Sequence, residues 1–205
     1  MSGRLWQRLA VSGAIHAQTA GANSAAGRLG QRYIGTSYGV ADLNDIREEF
    51  HDFSFGVNLP VSKFADFDAG YGYQWLNNNP VDIDAHEIDA GITLYSNKHT
   101  PKPFVSATVG YSWQKASYAG VTARDDEAFY GLSVGIEAPV GPVVLTPSIG
   151  LSDSLENGGD PAFGYGVDVH RWITSKLGLR AAISYVDHGD DLESWNYRLG
   201  LRVRF

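Results

Sequence analysis

The chain has 205 residues, enough for one domain or one small barrel. It contains no cysteine, which excludes disulfides and thiolate metal sites, and its formal net charge of -7 argues against nucleic acid, whose phosphates need a basic surface. Mean hydropathy is -0.20, and no run approaches the roughly eighteen apolar residues of a membrane-spanning helix. Strands that show one apolar face to lipid remain compatible with such a mildly polar average.

The first thirty residues form a segment of their own. Arg4 and Arg8 precede a short apolar stretch at 9–15, and Ala17 follows where a signal peptidase would cut after a small residue. Residues 21–30 are small and polar, a composition typical of a flexible terminus. We therefore divide the chain into a secretory signal or flexible leader over 1–30 and one domain over 31–205.

Ten strands are predicted from about residue 31 onward, where apolar residues alternate with small or polar ones until turn signals interrupt them. A period of two places the two sets on opposite faces of each strand. The seventh strand is the least regular, because Pro147 removes a hydrogen-bond donor from the ladder. The predicted strands lie near residues 33–40, 51–59, 67–75, 87–94, 105–113, 130–137, 145–151, 163–170, 177–185 and 195–205.

The final strand shows the pattern most clearly. Its odd positions, 195 to 205, are all apolar, and its even positions include Arg198, Arg202 and Arg204. Strands of about ten residues with this dyad repeat are typical of transmembrane barrels. We therefore predict an all-β fold: a transmembrane antiparallel up-and-down β-barrel of about ten strands, with eight as the alternative.

The distribution of charges and aromatic rings agrees with a barrel in a membrane. The charges on the apolar faces, Lys115, Arg171 and Asp187, fall at strand ends, where water is close. Every second connection is predicted to be an acidic outer loop, and these loops hold Asp42, Asp45, Glu48, Glu49, Asp82, Asp84, Asp125, Asp126, Glu127, Asp153, Glu156, Asp160, Asp190, Asp191 and Glu193. The predicted membrane-interface aromatics include Trp75, Trp113, Tyr130, Tyr185, Trp195 and Phe205.

The chain ends on an aromatic residue, Phe205, at the apolar face of its last strand. In this it resembles the C-terminal strand of Gram-negative outer-membrane proteins, in which a terminal Phe is the assembly signal. The resemblance extends to the class of small outer-membrane barrels that includes opacity-type adhesins and minor porins. It implies a location in the outer membrane, contact with outer-membrane lipid and lipopolysaccharide, and recognition by the barrel assembly machinery through Phe205. It implies no particular activity.

The inner face is predicted to collect charges of both signs. One interpretation is a plugged lumen in which opposite charges pair, because barrels of about eight strands are just filled by side chains. The other is a narrow, anion-favouring pore lined by arginines. This lumen network comprises Asp68, Glu87, Asp89, Glu137, Asp168, His170, Arg180, Arg198, Arg202 and Arg204.

No catalytic, cofactor or metal site is predicted. The acidic loops lack the residue order of a defined calcium site and are interpreted as solvated charge. Asp and His residues near the outer rim, such as His51 and Asp84, are similar in type to those of the omptin proteases. No motif of that family can be matched residue by residue, so no catalytic residue is assigned. Serines are plentiful, and no spacing singles one out as a nucleophile.

Taken together, the sequence predicts a non-enzymatic outer-membrane barrel with a largely plugged lumen and a structural or surface-interaction role. A small-solute, anion-favouring channel is the main alternative. A soluble lipocalin-like barrel, whose apolar face would point inward onto a ligand, is the lesser one.

Overall fold

The computed structural model describes residues 29–43, 46–78, 81–118, 121–155, 161–189 and 192–205. Residues 1–28, which make up most of the predicted leader, lie outside that set. Among the described residues, no helix is long and apolar enough to cross a membrane. The strands are β1 (Tyr33–Leu43), β2 (Ile46–Ser62), β3 (Ala65–Asn78), β4 (Val81–Tyr95), β5 (Lys102–Tyr118), β6 (Val121–Val140), β7 (Val143–Ser154), β8 (Ala162–Trp172), β9 (Leu177–Asp187) and β10 (Glu193–Arg204).

The ten strands form one closed barrel. Each strand pairs antiparallel with the next in the chain, and β10 closes the sheet by pairing with β1 over its full length, from Tyr33 opposite Arg204 to Leu43 opposite Ser194. Closure removes both sheet edges, so every strand has two neighbours for its backbone groups. The predicted ten-strand up-and-down barrel is confirmed, and the eight-strand alternative is wrong.

The two faces of each strand carry the residue types that the alternation predicts. Large apolar side chains face outward, and Leu199, Ile149 and Val109 are 69%, 61% and 59% exposed. The buried carboxylates, arginines and serines face inward, with glycines beside them. This is the reverse of a lipocalin-like barrel. An apolar wall around a polar interior is the arrangement that a surrounding bilayer requires.

Most of the acidic residues assigned to outer loops lie instead on strands, so that part of the prediction is wrong. β2 and β5 have 17 residues each and β6 has 20, well beyond the ten or so that span a bilayer. Antiparallel pairing continues past the apolar belt to Tyr118 opposite Val121, because β-branched and aromatic residues such as Val121, Thr122 and Tyr118 favour strands. The strands include Asp42, Glu48, Glu49, Asp82, Asp84, Asp125, Asp126, Glu127, Asp153 and Glu193, while Asp45, Glu156, Asp160, Asp190 and Asp191 lie outside the described residues.

The predicted seventh strand exists as β7 despite its proline. Its ladder with β6 runs from Phe129 opposite Ser154 to Gly135 opposite Ser148 and resumes at Ala138 opposite Leu145. The gap falls at Pro147, which has no N–H to donate to β6. On its other side β7 pairs with β8 without interruption.

Candidate functional site

The interior of the barrel contains the predicted charge network. Nine of its ten members are buried, and Arg204 is half-buried with its guanidinium 3.6 Å from the centroid of the Trp172 ring. Buried charges are tolerated only when they are paired or hydrogen-bonded. The buried members are Asp68, Glu87, Asp89, Glu137, Asp168, His170, Arg180, Arg198 and Arg202.

Opposite charges pair at two places in this interior. Asp168 on β8 is fully buried and binds Arg180 Nε on the adjacent β9, while Arg202 Nη2 of β10 lies 3.9 Å from the same carboxylate. Arg198 on β10 binds Asp52 on β2, with Nε 3.0 Å and 3.3 Å from the two carboxylate oxygens. The second pair joins residues 146 positions apart and spans β1.

Glycines on the neighbouring strands leave the space that these long side chains occupy. At Gly39 on β1, an added Cβ would lie 2.1 Å from Asp52 Oδ2 and 2.7 Å from Arg198 Cγ. At Gly70 on β3 it would lie 2.3 Å from a carboxylate oxygen of Asp89, the residue directly opposite. Glycine is needed at both places because any side chain would displace a buried carboxylate.

Three interior carboxylates were not predicted. Asp52 and Asp66 are 4% and 0% exposed, and Glu127 is buried on the same face of β6 as Glu137. Asp52 lies inside the predicted second strand, on its inward face beside Ser54. Asp66 and Glu127 continue the inward alternation of their strands one to three residues beyond the predicted strand ends. Extending the period of two would have found them.

The periplasmic end of the lumen is occupied by the residues that precede β1. The Leu29 side chain is buried against Tyr95 and Phe104, which point inward from β4 and β5. The Leu29 and Gly30 amides donate to the carboxylates of Glu137 and Asp66, at 3.1 Å and 2.9 Å. Gly30 has φ +82°, a conformation that favours glycine.

The outer end of the lumen is lined by an apolar cluster that the sequence did not predict. Its members point inward from the extended ends of β1 to β5 and from the residue before β10, and Val81 packs against them. A contiguous apolar cluster excludes water from the space it fills. The cluster consists of Ala41, Leu43, Phe50, Leu76, Ile83, Ala116 and Leu192.

Between these two ends, the described residues line two small interior cavities. One of about 30 Å³ lies between Asp89 and the pair Arg180 and Arg202, and one of about 20 Å³ lies beside Arg198 and Glu87. Each has room for a small number of water molecules. Metal-ligating groups of three or more His, Cys, Asp or Glu do not occur in the described part of the chain.

The predicted interface aromatics lie on the outer face. Tyr185 and Trp195 are directly opposite on β9 and β10, with ring centroids 5.3 Å apart, and Phe205 is 63% exposed at the other end of the barrel. Trp75 and Trp113 take part in a row of stacked rings that crosses β1 to β5. Tyr130 is half-buried on the outer face of β6.

Known structures share this architecture. Neisserial surface protein A (NspA) matches 85% of this chain and 97% of its own, with 14% identity and a TM-score of 0.51. The translocator domain of the autotransporter NalP from Neisseria meningitidis matches 96% and 97%, with 10% identity and a TM-score of 0.59. The β domain of the Bordetella autotransporter BrkA matches 85% and 99%, with 10% identity and a TM-score of 0.51. No protein-family model and no curated protein sequence matches the chain.

Its fold is that of the small Gram-negative outer-membrane β-barrels. At identities of 10% to 14% the likeness concerns the fold alone. The apolar wall, the polar interior and the aromatic interface residues agree with that fold, and the protein is an outer-membrane protein.

One Ser–His pair lies at the outer rim of this outer-membrane barrel. His188 Nε2 is 2.9 Å from Ser194 Oγ, and Asn196 donates to the same hydroxyl at 3.3 Å. Both His188 and Ser194 are buried. Burial lowers the pKa of His188 to about 4, against the opposing charge of Asp187, which leaves the imidazole neutral and weakly basic.

The lowered pKa of His188 predicts an acid-sensitive contribution to stability. Below about pH 6.5 the unfolded chain takes up a proton on this histidine, whereas the folded barrel does so only near pH 4. The contribution of neutral His188 to the free energy of unfolding is therefore complete above pH 6.5 and is lost as the pH falls toward 4. We expect the stability advantage of the wild type over His188→Gln to shrink by about 2 kcal/mol between pH 7 and pH 4.5. Urea unfolding in lipid vesicles at both pH values measures it, and an unchanged advantage contradicts it.

Proposed function

We propose that the protein is a non-enzymatic outer-membrane barrel with a largely closed lumen and a structural or surface-interaction role. The observation that supports this proposal is that buried apolar side chains lie inside the barrel at both ends. The apolar cluster around Phe50 and Leu76 occupies the outer end, and Leu29 occupies the periplasmic end between Tyr95 and Phe104. Cavities of about 20 and 30 Å³ between them support no continuous water path.

The strand extensions support a role at the surface. β4, β5 and β6 carry their pairing from the apolar belt out to Val81, Tyr118 and Val121, so a rigid rim stands above the outer membrane interface. Rigid elements present a binding surface more precisely than mobile loops do. A partner would meet this rim rather than long loops.

The alternative of an anion-favouring pore has weaker support. In the described interior, buried carboxylates outnumber the arginines that would attract anions. Three of those arginines are buried and one is half-buried. A pore lined in this way would favour cations. The carboxylates are Asp52, Asp66, Asp68, Glu87, Asp89, Glu127, Glu137 and Asp168.

Single-channel recording in a planar bilayer tests the closed lumen. Heat-modifiable gel migration first establishes that the protein is folded. We expect silence from the inserted wild type, because both ends of the lumen are occupied. Arg198→Gln combined with Arg202→Gln should lower stability without producing current steps. Reproducible small steps from the folded wild type, altered in size by the same two substitutions, would overturn the proposal in favour of a pore.

A further inference from the structure

Charge is distributed unevenly around the inner wall of the barrel. The three buried arginines come from β9 and β10, and they pair with the carboxylates of Asp52 and Asp168. Among the described residues, β3 to β6 contribute six buried carboxylates and no buried lysine or arginine. Lys102, at a position with the inward parity of β5, lies at the periplasmic strand end opposite Glu137. The six carboxylates are Asp66, Asp68, Glu87, Asp89, Glu127 and Glu137.

Two of these carboxylates, Asp68 and Asp89, have an oxygen that the protein does not satisfy. Asp66, by contrast, accepts hydrogen bonds from the Gly30 amide and the Tyr95 hydroxyl, at 2.9 Å and 3.1 Å. Asp68 Oδ2 and Asp89 Oδ1 have no hydrogen-bond partner in the described part of the chain, although the two residues are only 2% and 7% exposed. Leaving a charged oxygen buried without a partner is strongly destabilising. A cation next to both oxygens would remove that cost.

The two carboxylates are close neighbours on the inner wall. Asp68 of β3 lies opposite Gly91 of β4, and Asp89 of β4 lies opposite Gly70 of β3. They are therefore diagonal neighbours on one face of an antiparallel pair, a separation that longer side chains can bridge. Because the residue opposite each carboxylate is a glycine, neither one meets a side chain directly across the ladder.

Gly91 is the middle residue of a row that crosses three strands. Asp68 lies opposite it on β3, and Thr108 lies opposite it on β5. A Cβ added at Gly91 would lie 2.8 Å from Asp68 Oδ2 and 2.9 Å from Thr108 Oγ1. The backbone oxygen of Ala107 lies 2.9 Å from the same point. Three oxygens thus surround a space that any residue other than glycine would fill.

The chemistry of this space suits calcium. The cavity of about 30 Å³ beside Gly70 and Asp89 has room for a small number of water molecules that could complete a ligand shell. Ca²⁺ takes about six to eight oxygen ligands in flexible geometry, whereas Mg²⁺ requires a regular octahedron and retains several of its own waters. A crowded wall with little space for water therefore favours Ca²⁺ over Mg²⁺.

We propose that Asp68, Asp89 and Thr108 bind a calcium ion at Gly91 on the inner wall of the barrel. Asp68 Oδ2 and Asp89 Oδ1 supply two negative charges, which match the charge of the ion, and the Thr108 hydroxyl is a neutral ligand. Two carboxylates, rather than a group of three or more, supply the charge. Hard cations prefer such oxygen ligands. The ion offsets the negative charge of this wall and links β3, β4 and β5, whether or not the lumen conducts.

Calcium-dependent stability of the full-length barrel tests the proposal. A ligand that binds the folded state alone shifts the unfolding equilibrium, and this measurement requires no path into the folded lumen. Urea unfolding in phosphatidylcholine vesicles is followed over a series of Ca²⁺ concentrations, starting in chelator. We expect the urea midpoint of the wild type to rise with Ca²⁺ and that of Asp68→Asn/Asp89→Asn to stay constant. The control Asp42→Asn/Asp82→Asn, which removes two exposed carboxylates, should respond as the wild type does.

Two further variants keep both carboxylates and alter only the space around the ion. Thr108→Val should need about tenfold more Ca²⁺ for the same midpoint shift, whereas Thr146→Val, the same change at a fully buried position on β7, should need no more than the wild type. Gly91→Ala places a methyl group among the three oxygens and should abolish the shift. Its control is Gly56→Ala, whose methyl group would lie 3.3 Å from the nearest atom, Ala69 O.

Heat-modifiable migration checks that each variant is folded, and native mass spectrometry from Ca²⁺ buffer counts the ions on the folded protein. One ion bound to the wild type and none to Asp68→Asn/Asp89→Asn supports the site. If that variant does not fold, Thr108→Val and Gly91→Ala still decide the matter. A wild-type midpoint that ignores Ca²⁺ overturns the proposal, and so does an equal response to Mg²⁺. A loss of the shift in Asp42→Asn/Asp82→Asn would place the ion on the exposed acidic rim and overturns it as well.

Discussion

Asp168→Asn is expected to lower the free energy of unfolding of the barrel by about 3–5 kcal/mol. Asp168 is fully buried, and its carboxylate receives Arg180 Nε and lies 3.9 Å from Arg202 Nη2. The amide keeps the shape of the side chain but leaves two buried guanidinium groups without the charge between them. Removing one charge of a buried ion pair destabilises the fold far more than the intact pair stabilises it, because the other charge stays buried without a partner.

Equilibrium urea unfolding in lipid vesicles, followed by tryptophan fluorescence, measures this effect. Asp82→Asn provides the control, because it makes the same chemical change at an exposed position on β4. We expect the control to change stability by less than about 0.5 kcal/mol. Similar unfolding of the two variants would mean that Asp168 is solvated and that the interior holds more water than its cavities indicate.

The pair Asp52 and Arg198 should show strong thermodynamic coupling. Arg198→Met leaves the Asp52 carboxylate buried without its guanidinium and is expected to cost about 3–5 kcal/mol. Asp52→Asn combined with Arg198→Met removes both charges, so the double variant should be more stable than the sum of the single effects allows, by about 1–3 kcal/mol. The pair lies 3.0 Å apart across Gly39, where no side chain fits between them.

A double-mutant cycle on the free energies of unfolding gives this coupling. The slope of the free energy against urea must stay constant across the cycle, since a change would indicate an altered unfolded state. Additive effects of the two substitutions would show that the residues do not stabilise each other. The coupling would also establish that β10 and β2 are held together through the lumen, in addition to the backbone ladder of β1.

Much of the fold follows from a local pattern. The period of two in stretches such as 105–113 and 195–205 determines which side chains share a face, and ten such stretches determine the strand number. Glu127 escapes the prediction because the predicted sixth strand is too short, whereas Asp52 lies inside the predicted second strand, on the inward face that the same period of two defines. In the strand extensions above the apolar belt, the alternation involves small and charged residues. This pattern is weaker than that of Leu, Val and Tyr, so the sequence places the acidic residues there in loops.

The sequence by itself determined the strands, their lipid-facing side and the gathering of charges inside. Only the tertiary structure decided which charges meet, because the partner of Arg198 depends on the closure of β10 onto β1 and on the space at Gly39. It also decided that Leu29 lies within the lumen and that Lys115 lies opposite Arg124. Alternation is a property of neighbouring residues, whereas register and closure are set by pairings across the whole chain.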